Sequence, residues 1–394
     1  MTVLRNARLL GRTGLHDVHR SDGVITAVER AAGRVDGTDG VDAGGRVVLA
    51  GLVDAHVHLD KAYVLPALEA RGAFEGGDVA AAMAATRALR AELGTAIIEP
   101  GMERVLRSMR RQGTVAARAH VEIDVGIDPA VVELHRKVAT DHPDVAVQLV
   151  AFPQNGTSHD PGAGARLARA LDDGCTVVGG CPYADDDPEG HLDLVFGLAA
   201  DRGLPVDLHL DLTDDAAAAQ VDLVLPRVAR SGLEGRVTVG HMTALSALSP
   251  ERRASVLAGL RDLGISLVAI PTTDLWLSGR TAERPGARGL APLRALLDAG
   301  VSTALASNNH QNAFTPVGGG GLLRVAWLAA LVAQIGDSPG LARLLSAVSD
   351  VPARILGLGP WGIEPGSVAP LLVLDAEEPL DAVREAPAVV ERVG

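Results

Sequence analysis

Eight short apolar segments rich in β-branched residues recur along the chain, and longer segments rich in alanine and arginine lie between them. This alternation is typical of repeated βα units, which place their strands in one parallel sheet. The predicted strands are 52–58, 114–121, 145–152, 175–180, 205–210, 236–241, 266–271 and 302–307. Because eight such units close into a barrel, the sequence predicts an α/β fold of the (β/α)8 TIM type.

Segments of helix-compatible composition supply the outer ring of this barrel, at 77–111, 160–172, 215–231, 249–263 and 321–334. A TIM barrel carries its active site at the C-terminal ends of its strands, so the polar side chains at those positions are candidates for function. They are His56, His58, His120, Gln154, His209, His241, Thr272, Thr273, Asp274 and Asn308.

Both ends of the chain alternate apolar and polar residues between glycine turns, as in "TVLRNARLL" and "SVAPLLVLDAEEPLDAV". This pattern is typical of antiparallel strands. Neither end is long enough to fold alone, so we expect the two ends to form one small β-sandwich. The predicted domains are therefore 1–50 with 358–394 as the sandwich, and 51–357 as the barrel.

The composition limits the partners that the chain can bind. Its formal net charge is −13 and its isoelectric point about 5.4, whereas a nucleic-acid partner requires a basic surface, so we expect no such partner. No segment is long and apolar enough to predict a membrane span. The two cysteines, Cys175 and Cys181, predict no disulfide framework and fit the reduced cytoplasm. Whether the chain forms a homo-oligomer is left open.

Two histidines end the first predicted strand, in "DAHVH". Side chains at i and i+2 share one face of a strand, so His56 and His58 can both point into the barrel and bind one metal ion. The alternative is a pair of buried histidines bonded to the backbone. His209, at the end of the fifth predicted strand, strengthens the metal interpretation.

Six ordered motifs resemble the amidohydrolase superfamily, and its cytosine deaminase and N-isopropylammelide aminohydrolase branch in particular. They are "VLAGLVDAHVHLDKAY", "LVAFPQNG", "VDLHLDLTDD", "VTVGHMTALSAL", "LWLSGR" and "NNHQNAFTPVGGGGLLRVAWL". The resemblance covers essentially the whole chain. It implies a (β/α)8 barrel with a flanking β-sandwich, one divalent metal, zinc or iron, and replacement of an exocyclic amino group of a small heterocycle by water.

The resemblance also assigns roles to individual residues. His56, His58 and His209 are similar to the three metal-binding histidines of the family. His241 is similar to the histidine that assists water and substrate, and Gln154 to a residue that hydrogen-bonds the amide edge of the ring. Three neutral imidazoles leave a metal position open for chemistry.

Two positions depart from the family pattern. The family's "HxDE" reads "HLDL" here, so Leu212 stands where a glutamate shuttles a proton. Asn308 stands where an aspartate binds the metal and accepts a proton. A positioned general acid or base contributes about 10²–10⁴-fold to a rate, so two such losses predict very slow ordinary deamination unless other groups carry the proton.

Three residues near these departures are candidate proton carriers. Asp211 follows His209, with capping of the next helix as its alternative role. Asp274 follows the seventh strand, and a turn role is its alternative. His310 lies two residues beyond Asn308, where it is expected either to titrate near neutrality over the rim or to face solvent.

The candidate substrate contacts are Lys61, His120, Gln154, Tyr183, Asn308 and Asn309. The segment of Lys61 is expected at the pocket mouth, and Tyr183 replaces a histidine that relatives often have. His120 is predicted either to touch substrate or to be an internal, hydrogen-bonded residue. The glycines at 318–321 are expected to turn the backbone into the last helix, with an anion cradle as the alternative.

The predicted function is hydrolysis of a C–N bond in a small nitrogen heterocycle or cyclic amide, in a divergent reaction of specialised metabolism. One alternative uses the metal as a Lewis acid for a cyclisation, elimination or rearrangement. Another is a ligand-binding protein without catalysis. Four histidines and Gln154 in register weigh against the latter, because buried imidazoles are costly to keep.

Overall fold

The computed structural model describes residues 2–31, 40–74, 79–280 and 288–394. A four-stranded sheet at the start of the chain contains β1 (Thr2–Ala7), β2 (His16–Ser21), β3 (Val24–Arg30) and β4 (Gly40–Asp42). Its strand order is β3-β2-β1-β4, with antiparallel pairing except between β1 and β4. The short strand β5 (Val48–Ala50) then leads from this sheet to the barrel.

Eight parallel strands follow in one sheet, each paired with its neighbours in chain order. They are β6 (Leu52–Val57), β7 (Thr114–Glu122), β8 (Ala146–Phe152), β9 (Val177–Gly180), β10 (Val206–Leu210), β11 (Val237–His241), β12 (Ser266–Ala269) and β13 (Thr303–Leu305). A bridge between Val57 and Asn308 joins the first strand to the end of the last. The predicted (β/α)8 barrel is confirmed, and each strand lies within its predicted segment or one residue beyond it.

The helices surround this sheet and cover its apolar strands. They are α1 (Leu65–Glu69), α2 (Val79–Leu93), α3 (Glu99–Arg111), α4 (Val131–Asp141), α5 (Ala163–Asp172), α6 (Pro188–Arg202), α7 (Val221–Ser231), α8 (Pro250–Asp262), α9 (Pro271–Leu277), α10 (Leu293–Asp298), α11 (Leu322–Ala333), α12 (Ser338–Ser346), α13 (Asp350–Leu356) and α14 (Asp381–Arg384).

The segment 77–111, predicted to be helical, forms two helices, α2 and α3. Gly94 follows α2 at φ +62°, the left-handed conformation that ends helices, and a short 3₁₀ turn covers Gly94–Ile97. Pro100 occupies the first turn of α3, where its missing N–H costs no hydrogen bond. Residues 77 and 78 lie outside the described residues. The segment 215–231 likewise divides into a 3₁₀ turn, Ala216–Ala218, and α7.

The end of the chain forms a second small sheet with β5. Strand β14 (Leu371–Leu374) pairs antiparallel with both β5 and β15 (Val389–Val393). Alternate residues of β14 face opposite sides: Leu371 and Val373 join a core with the N-terminal sheet, whereas Leu372 and Leu374 pack on the barrel. Both chain ends therefore contribute to sheets beside the barrel.

Candidate active site and metal centre

Three histidines converge inside the barrel. His56 lies on β6 and His58 directly after it, on the same face, while His209 comes from β10 across the barrel. The Nε2 atom of His209 lies 3.1 Å from Nε2 of His56 and 3.0 Å from Nε2 of His58. Burial lowers the pKa of all three imidazoles well below the ordinary value, and neighbouring positive groups lower it further. The three side chains are therefore neutral, the form that binds metals.

This arrangement fits one divalent ion. A neutral Nε2 carries either one proton or one lone pair, so His209 cannot make a full hydrogen bond to both partners. Nitrogens about 2.0–2.1 Å from a tetrahedral zinc ion lie about 3.3 Å from one another, close to the separations found here. His56, His58 and His209 form a candidate metal site, and all three are nearly inaccessible to solvent.

A second polar layer lies directly beneath the cluster. Asp207 accepts a hydrogen bond from the Arg118 guanidinium at 2.7 Å and lies 3.2 Å from Nε2 of His120. The His120 ring also packs on that of His56, with centroids 4.0 Å apart. His56, His120 and Asp207 are close enough to hold an ion, but Arg118 already neutralises the carboxylate there. The structure thus places His120 in the internal, hydrogen-bonded position that was the alternative to a substrate contact.

His241, the last residue of β11, pairs with Asp274 on α9. The His241 Nδ1 atom lies 2.6 Å from Oδ1 of Asp274, whose other oxygen accepts from the Ile270 amide at 3.2 Å. Burial raises the pKa of Asp274, and the nearby imidazole opposes that rise. Because Nδ1 is bound to the carboxylate, Nε2 is the nitrogen left free for chemistry. Asp274 itself is fully buried and lies in the short helix α9, whereas its alternative role was in a turn.

A narrow cavity above the histidines has a volume of about 20 Å³, or about 320 Å³ when the space open to solvent at its mouth is included. Eight of the predicted site residues line it: His58, Lys61, Gln154, Tyr183, His209, His241, Asn308 and Asn309. Leu212, the last residue of "HLDL", lines the cavity as well. His56, His120, Asp274 and His310 are not part of its lining.

Lys61 lies inside the protein, not at the pocket mouth where its segment was expected. Its side chain is 1% exposed, and its ammonium donates a hydrogen bond to Oε1 of Gln154. Glu122 lies 3.7 Å from the ammonium and is also paired with Arg90 at 2.5 Å. Asp124 accepts the Gln154 amide at 3.0 Å, which holds that residue at the end of β8. Lys61 and Gln154 thus present a fixed polar pair to the cavity.

His310 does not line this cavity and lies behind Asn308 and Asn309, which do. It is 1% exposed and lies 3.1 Å from the Ser307 hydroxyl, which donates to Asp54 at 2.5 Å. Burial lowers its pKa to about 4. The expectations that His310 titrates near neutrality over the rim or faces solvent are both wrong, because residues 307–310 fold back against β6. Its predicted catalytic role stays a prediction.

Asp211 accepts a hydrogen bond from the Gln220 amide at 2.6 Å, at the residue that precedes α7. Its helix-capping alternative therefore agrees with the structure. Asn308 has φ +57° and is held by backbone hydrogen bonds to His56 and His58, while its side-chain Oδ1 has no partner among the described residues. Its amide is available to a ligand in the cavity.

Several cavity residues were not predicted as site residues. They are Val79, Phe152, Leu277 and Phe314. Thr273 also lines the cavity; it was named from sequence as a polar residue at a strand end, with no role assigned. Phe152 stacks on the His209 ring at 4.2 Å. A signal existed, because the chain has only four phenylalanines and one of them ends the third strand, two residues before Gln154. Two of the four line this cavity.

A family model described as "Amidohydrolase family" matches residues 75–393. This match covers most of the chain. The chain belongs to the amidohydrolase family. It is therefore an enzyme of the metal-dependent hydrolase type, as the six motifs predicted. Among the described residues, none of the helices of this amidohydrolase combines the length and apolar character that crossing a membrane requires.

Three relatives illustrate the relationship. N-isopropylammelide isopropyl amidohydrolase of Pseudomonas sp. (strain ADP) is 26% identical over 97% of this chain and 92% of its own length. Pterin deaminase of Rhizobium rhizogenes (strain K84 / ATCC BAA-868) is 30% identical over 82% of this chain and 74% of its own. The crystal structure of 5-methylcytosine deaminase from Klebsiella pneumoniae, liganded with 5-fluorocytosine, superposes with a TM-score of 0.93 at 26% identity and covers 99% of this chain and 95% of that one.

Proposed function

We propose that this amidohydrolase hydrolyses an exocyclic C–N bond of a small, planar nitrogen heterocycle by a proton path that differs from ordinary deamination. The single observation that carries the proposal is the convergence of His56, His58 and His209 beneath a cavity whose lining includes Lys61, Gln154 and His241. Lys61 with Gln154 forms one pair, and His241, backed by Asp274, supplies the other. The first pair suits binding and the second suits proton transfer.

The cavity walls favour a flat ring with an amide edge. Phe152, Phe314 and Leu277 supply apolar surfaces, which suit the faces of an aromatic heterocycle. Oε1 of Gln154 accepts from Lys61, so its Nε2 is left to donate to a ring carbonyl. The relatives are named for ammelide, pterin and 5-methylcytosine, which are rings of this class.

His241 is the group that we assign to proton transfer. The family pattern uses a glutamate and an aspartate, and the resemblance places Leu212 and Asn308 at those positions. Neither side chain accepts a proton. His241 lines the cavity, and the Asp274 carboxylate orients it and stabilises its charged form once it has taken a proton.

A divalent ion on the three histidines, zinc or iron, supplies Lewis acidity to this site when bound. The histidines bind it as neutral Nε2 donors, and burial excludes competing protons from them. Leu212 keeps one wall apolar and excludes bulk water from that side.

Leu212 and Asn308 also favour a second candidate function. With no carboxylate at either position, the same cavity suits a reaction that needs no activated water, such as a cyclisation, elimination or rearrangement of a heterocycle. The two candidates predict different products from one substrate. Hydrolysis adds the elements of water and releases ammonia or an amine, whereas the second leaves the composition unchanged or loses a small fragment.

The test begins with elemental analysis of protein produced with zinc, iron or manganese supplied in turn. We expect close to one metal per chain. A panel of aminopyrimidines, aminotriazines and pterins is then assayed for ammonia or amine release, with mass spectrometry of the products. Turnover supports hydrolysis if the product mass shows that the amino group has been replaced by a hydroxyl group from water. Protein that binds no metal under any supply, or no turnover across the panel, contradicts it.

Two matched variants locate the proton carrier. Asp274→Asn removes the carboxylate behind His241, and we expect a loss of about 10²–10⁴-fold in kcat. Asp211→Asn makes the same isosteric change at another buried aspartate, one that is occupied by the Gln220 amide. We expect kcat within about threefold of the parent in that control. The reverse order of effects would assign proton transfer to Asp211.

A further inference from the structure

The loop after β13 contains Asn312, a buried residue that reaches the cavity above the histidines only through its neighbours. Its side chain is 0% exposed and does not line that cavity, whereas Asn309 and Phe314 on either side of it do. The Asn312 N–H donates to the Thr315 carbonyl at 3.0 Å, which holds the loop compact. Asn312 therefore lies behind the cavity wall, within one hydrogen bond of two residues that form the wall.

The orientation of the Asn312 amide is fixed by two donors that cannot change role. Its Oδ1 accepts from the backbone N–H of Phe314 at 2.9 Å and from that of Thr315 at 3.0 Å. A backbone N–H only donates, so the atom that faces these two groups is the oxygen, and the NH2 lies at the other end of the amide. Asn312 therefore presents a donor, and only a donor, to its next neighbour.

Asn309 is the residue that accepts from this donor. The Nδ2 atom of Asn312 donates to Oδ1 of Asn309 at 2.7 Å. Since this bond directs the Asn309 oxygen away from the cavity, the NH2 of Asn309 is left at the cavity wall, beside Thr273, which also lines the cavity. Asn312 thus decides which end of the Asn309 amide a ligand meets.

Thr273 does not compete with Asn312 in this choice. Among the described residues, its hydroxyl is the one hydrogen-bond partner of the Asn309 NH2, at the long distance of 3.5 Å. The same hydroxyl lies 2.7 Å from the hydroxyl of Thr315. Because a hydroxyl both donates and accepts, it tolerates either end of the amide. An NH2 group has two hydrogens, so this one long contact leaves a hydrogen for a ligand.

We propose that Asn312 is a positioning residue that fixes Asn309 as a hydrogen-bond donor to the substrate. The enzyme then selects heterocycles with an acceptor at that edge, either a carbonyl oxygen or an unprotonated ring nitrogen. The inference rests on the proposed function, since it requires a heterocycle in the cavity. Asn309 is only 3% exposed, so a ligand that brought an N–H to it would leave two donors facing each other without water between them.

Binding of two matched triazines tests the proposal. Cyanuric acid carries an oxygen at each of its three carbons, and melamine carries an NH2 group at each of the same positions. Both are threefold symmetric, so rotation of the ring does not change which group Asn309 meets, and both are largely uncharged at about pH 6. Calorimetric titration of the purified protein gives the ratio of the two affinities, and we expect the parent to favour cyanuric acid.

Asn312→Asp reverses the donor. The new carboxylate still accepts from both backbone N–H groups but has no hydrogen to donate, so Asn309 turns its NH2 towards it and its oxygen towards the cavity. We expect the affinity ratio of cyanuric acid to melamine to fall at least tenfold, because a mispaired buried polar group costs about a factor of ten in affinity.

Asn312→Ala is the matched control, since it removes the same donor without adding a charge. It leaves both ends of the Asn309 amide available to a ligand, so we expect the ratio to fall by about threefold, to a value between those of the parent and Asn312→Asp. This variant also decides the question if Asn312→Asp fails to fold. If Asn312 only supports the loop, both variants weaken both triazines alike; an unchanged ratio therefore overturns the proposal.

Nuclear magnetic resonance of protein labelled with ¹⁵N-asparagine tests the orientation without a ligand. The chain has five asparagines, so the spectrum contains five side-chain NH2 groups, and the signal of Asn309 is the one that Asn309→Asp removes. In Asn312→Asp this signal should move downfield, because the NH2 then donates to a carboxylate. An unmoved signal overturns the proposal. If the signal moves but the parent binds neither triazine, the result contradicts the proposed function and leaves the orienting role of Asn312 supported.

Discussion

Replacing Asn308 by aspartate places a carboxylate at the centre of the site with almost no change in shape. The backbone at 308 has φ +57°, a conformation that asparagine and aspartate both tolerate. Two backbone hydrogen bonds hold the residue in place. Its N–H donates to the His56 carbonyl at 2.9 Å, and its carbonyl accepts from the His58 N–H at 3.0 Å. The substitution Asn308→Asp therefore adds one negative charge beside the histidine cluster without altering the fold.

The magnitude follows from burial. Asn308 is 1% exposed and its Oδ1 has no partner, so without metal the new carboxylate is buried and unpaired. An uncompensated buried charge costs about 3–5 kcal/mol. Unfolding entropy of about 2.1 cal/mol/K per residue gives about 0.8 kcal/mol/K for the chain of 394 residues, so 3 kcal/mol lowers Tm by about 4 °C. Bound zinc neutralises that charge, and the same 3 kcal/mol tightens zinc binding by more than a hundredfold.

The assay is a competition titration of zinc against a chromophoric chelator, together with thermal melts of the metal-free and zinc-loaded forms. Asn309→Asp is the control, because the Asn309 amide is occupied by Asn312 at 2.7 Å and by Thr273. We expect the control to lose stability without a gain in zinc affinity. The reasoning is refuted if Asn308→Asp binds zinc no more tightly than the parent and its metal-free form melts at the parent Tm.

Three further predictions concern buried groups around the site. Arg118→Met leaves the Asp207 carboxylate buried without its guanidinium, and we expect a loss of about 3–5 kcal/mol in urea unfolding. The double variant with Asp207→Leu should recover part of that loss, and strictly additive losses would contradict the pairing. Burial raises the pKa of Asp54 from 3.8 to about 6, so the folded chain holds a proton there that the unfolded chain releases from about pH 4. Its contribution to the free energy of unfolding is therefore present at low pH and falls by about 3 kcal/mol as the pH rises from 4 to 6. Asp54→Asn should remove this slope from plots of unfolding free energy against pH in that window. Burial raises the pKa of Cys175 and Cys181 to about 12, so at pH 8 native protein should not react with a thiol reagent that labels both after unfolding.

The barrel strands could be predicted from sequence because they are buried on both faces. Short, mostly apolar runs such as 145–152 favour strands over helices at that length, and eight of them indicate the architecture. The helix boundaries could not be read as well. Gly94 and Pro100 marked the break between α2 and α3, but the alanine-rich composition of α2 and the arginine- and methionine-containing composition of α3 both suit a helix, and this concealed the break.

The convergence of the three candidate metal-binding histidines was predictable for a geometric reason. Residues two apart on a strand share a face, so "DAHVH" placed His56 and His58 together, and His209 followed from its position on another strand. The partners of these groups were not predictable. The partners are far apart in sequence: 89 positions separate Arg118 from Asp207, and 93 separate Lys61 from Gln154. Only the closed barrel brings them into contact.

Position 308 shows why the site can change its chemistry without changing its fold. Its left-handed backbone, φ +57°, favours asparagine, aspartate or glycine, and the residue closes the barrel through its own backbone bonds to β6. The fold therefore restricts the residue type but does not choose between the amide and the acid. Since the side-chain Oδ1 is free of protein partners, that choice acts on whatever occupies the cavity. An exchange between aspartate and asparagine at this position therefore changes the chemistry of the cavity and leaves the fold unaffected.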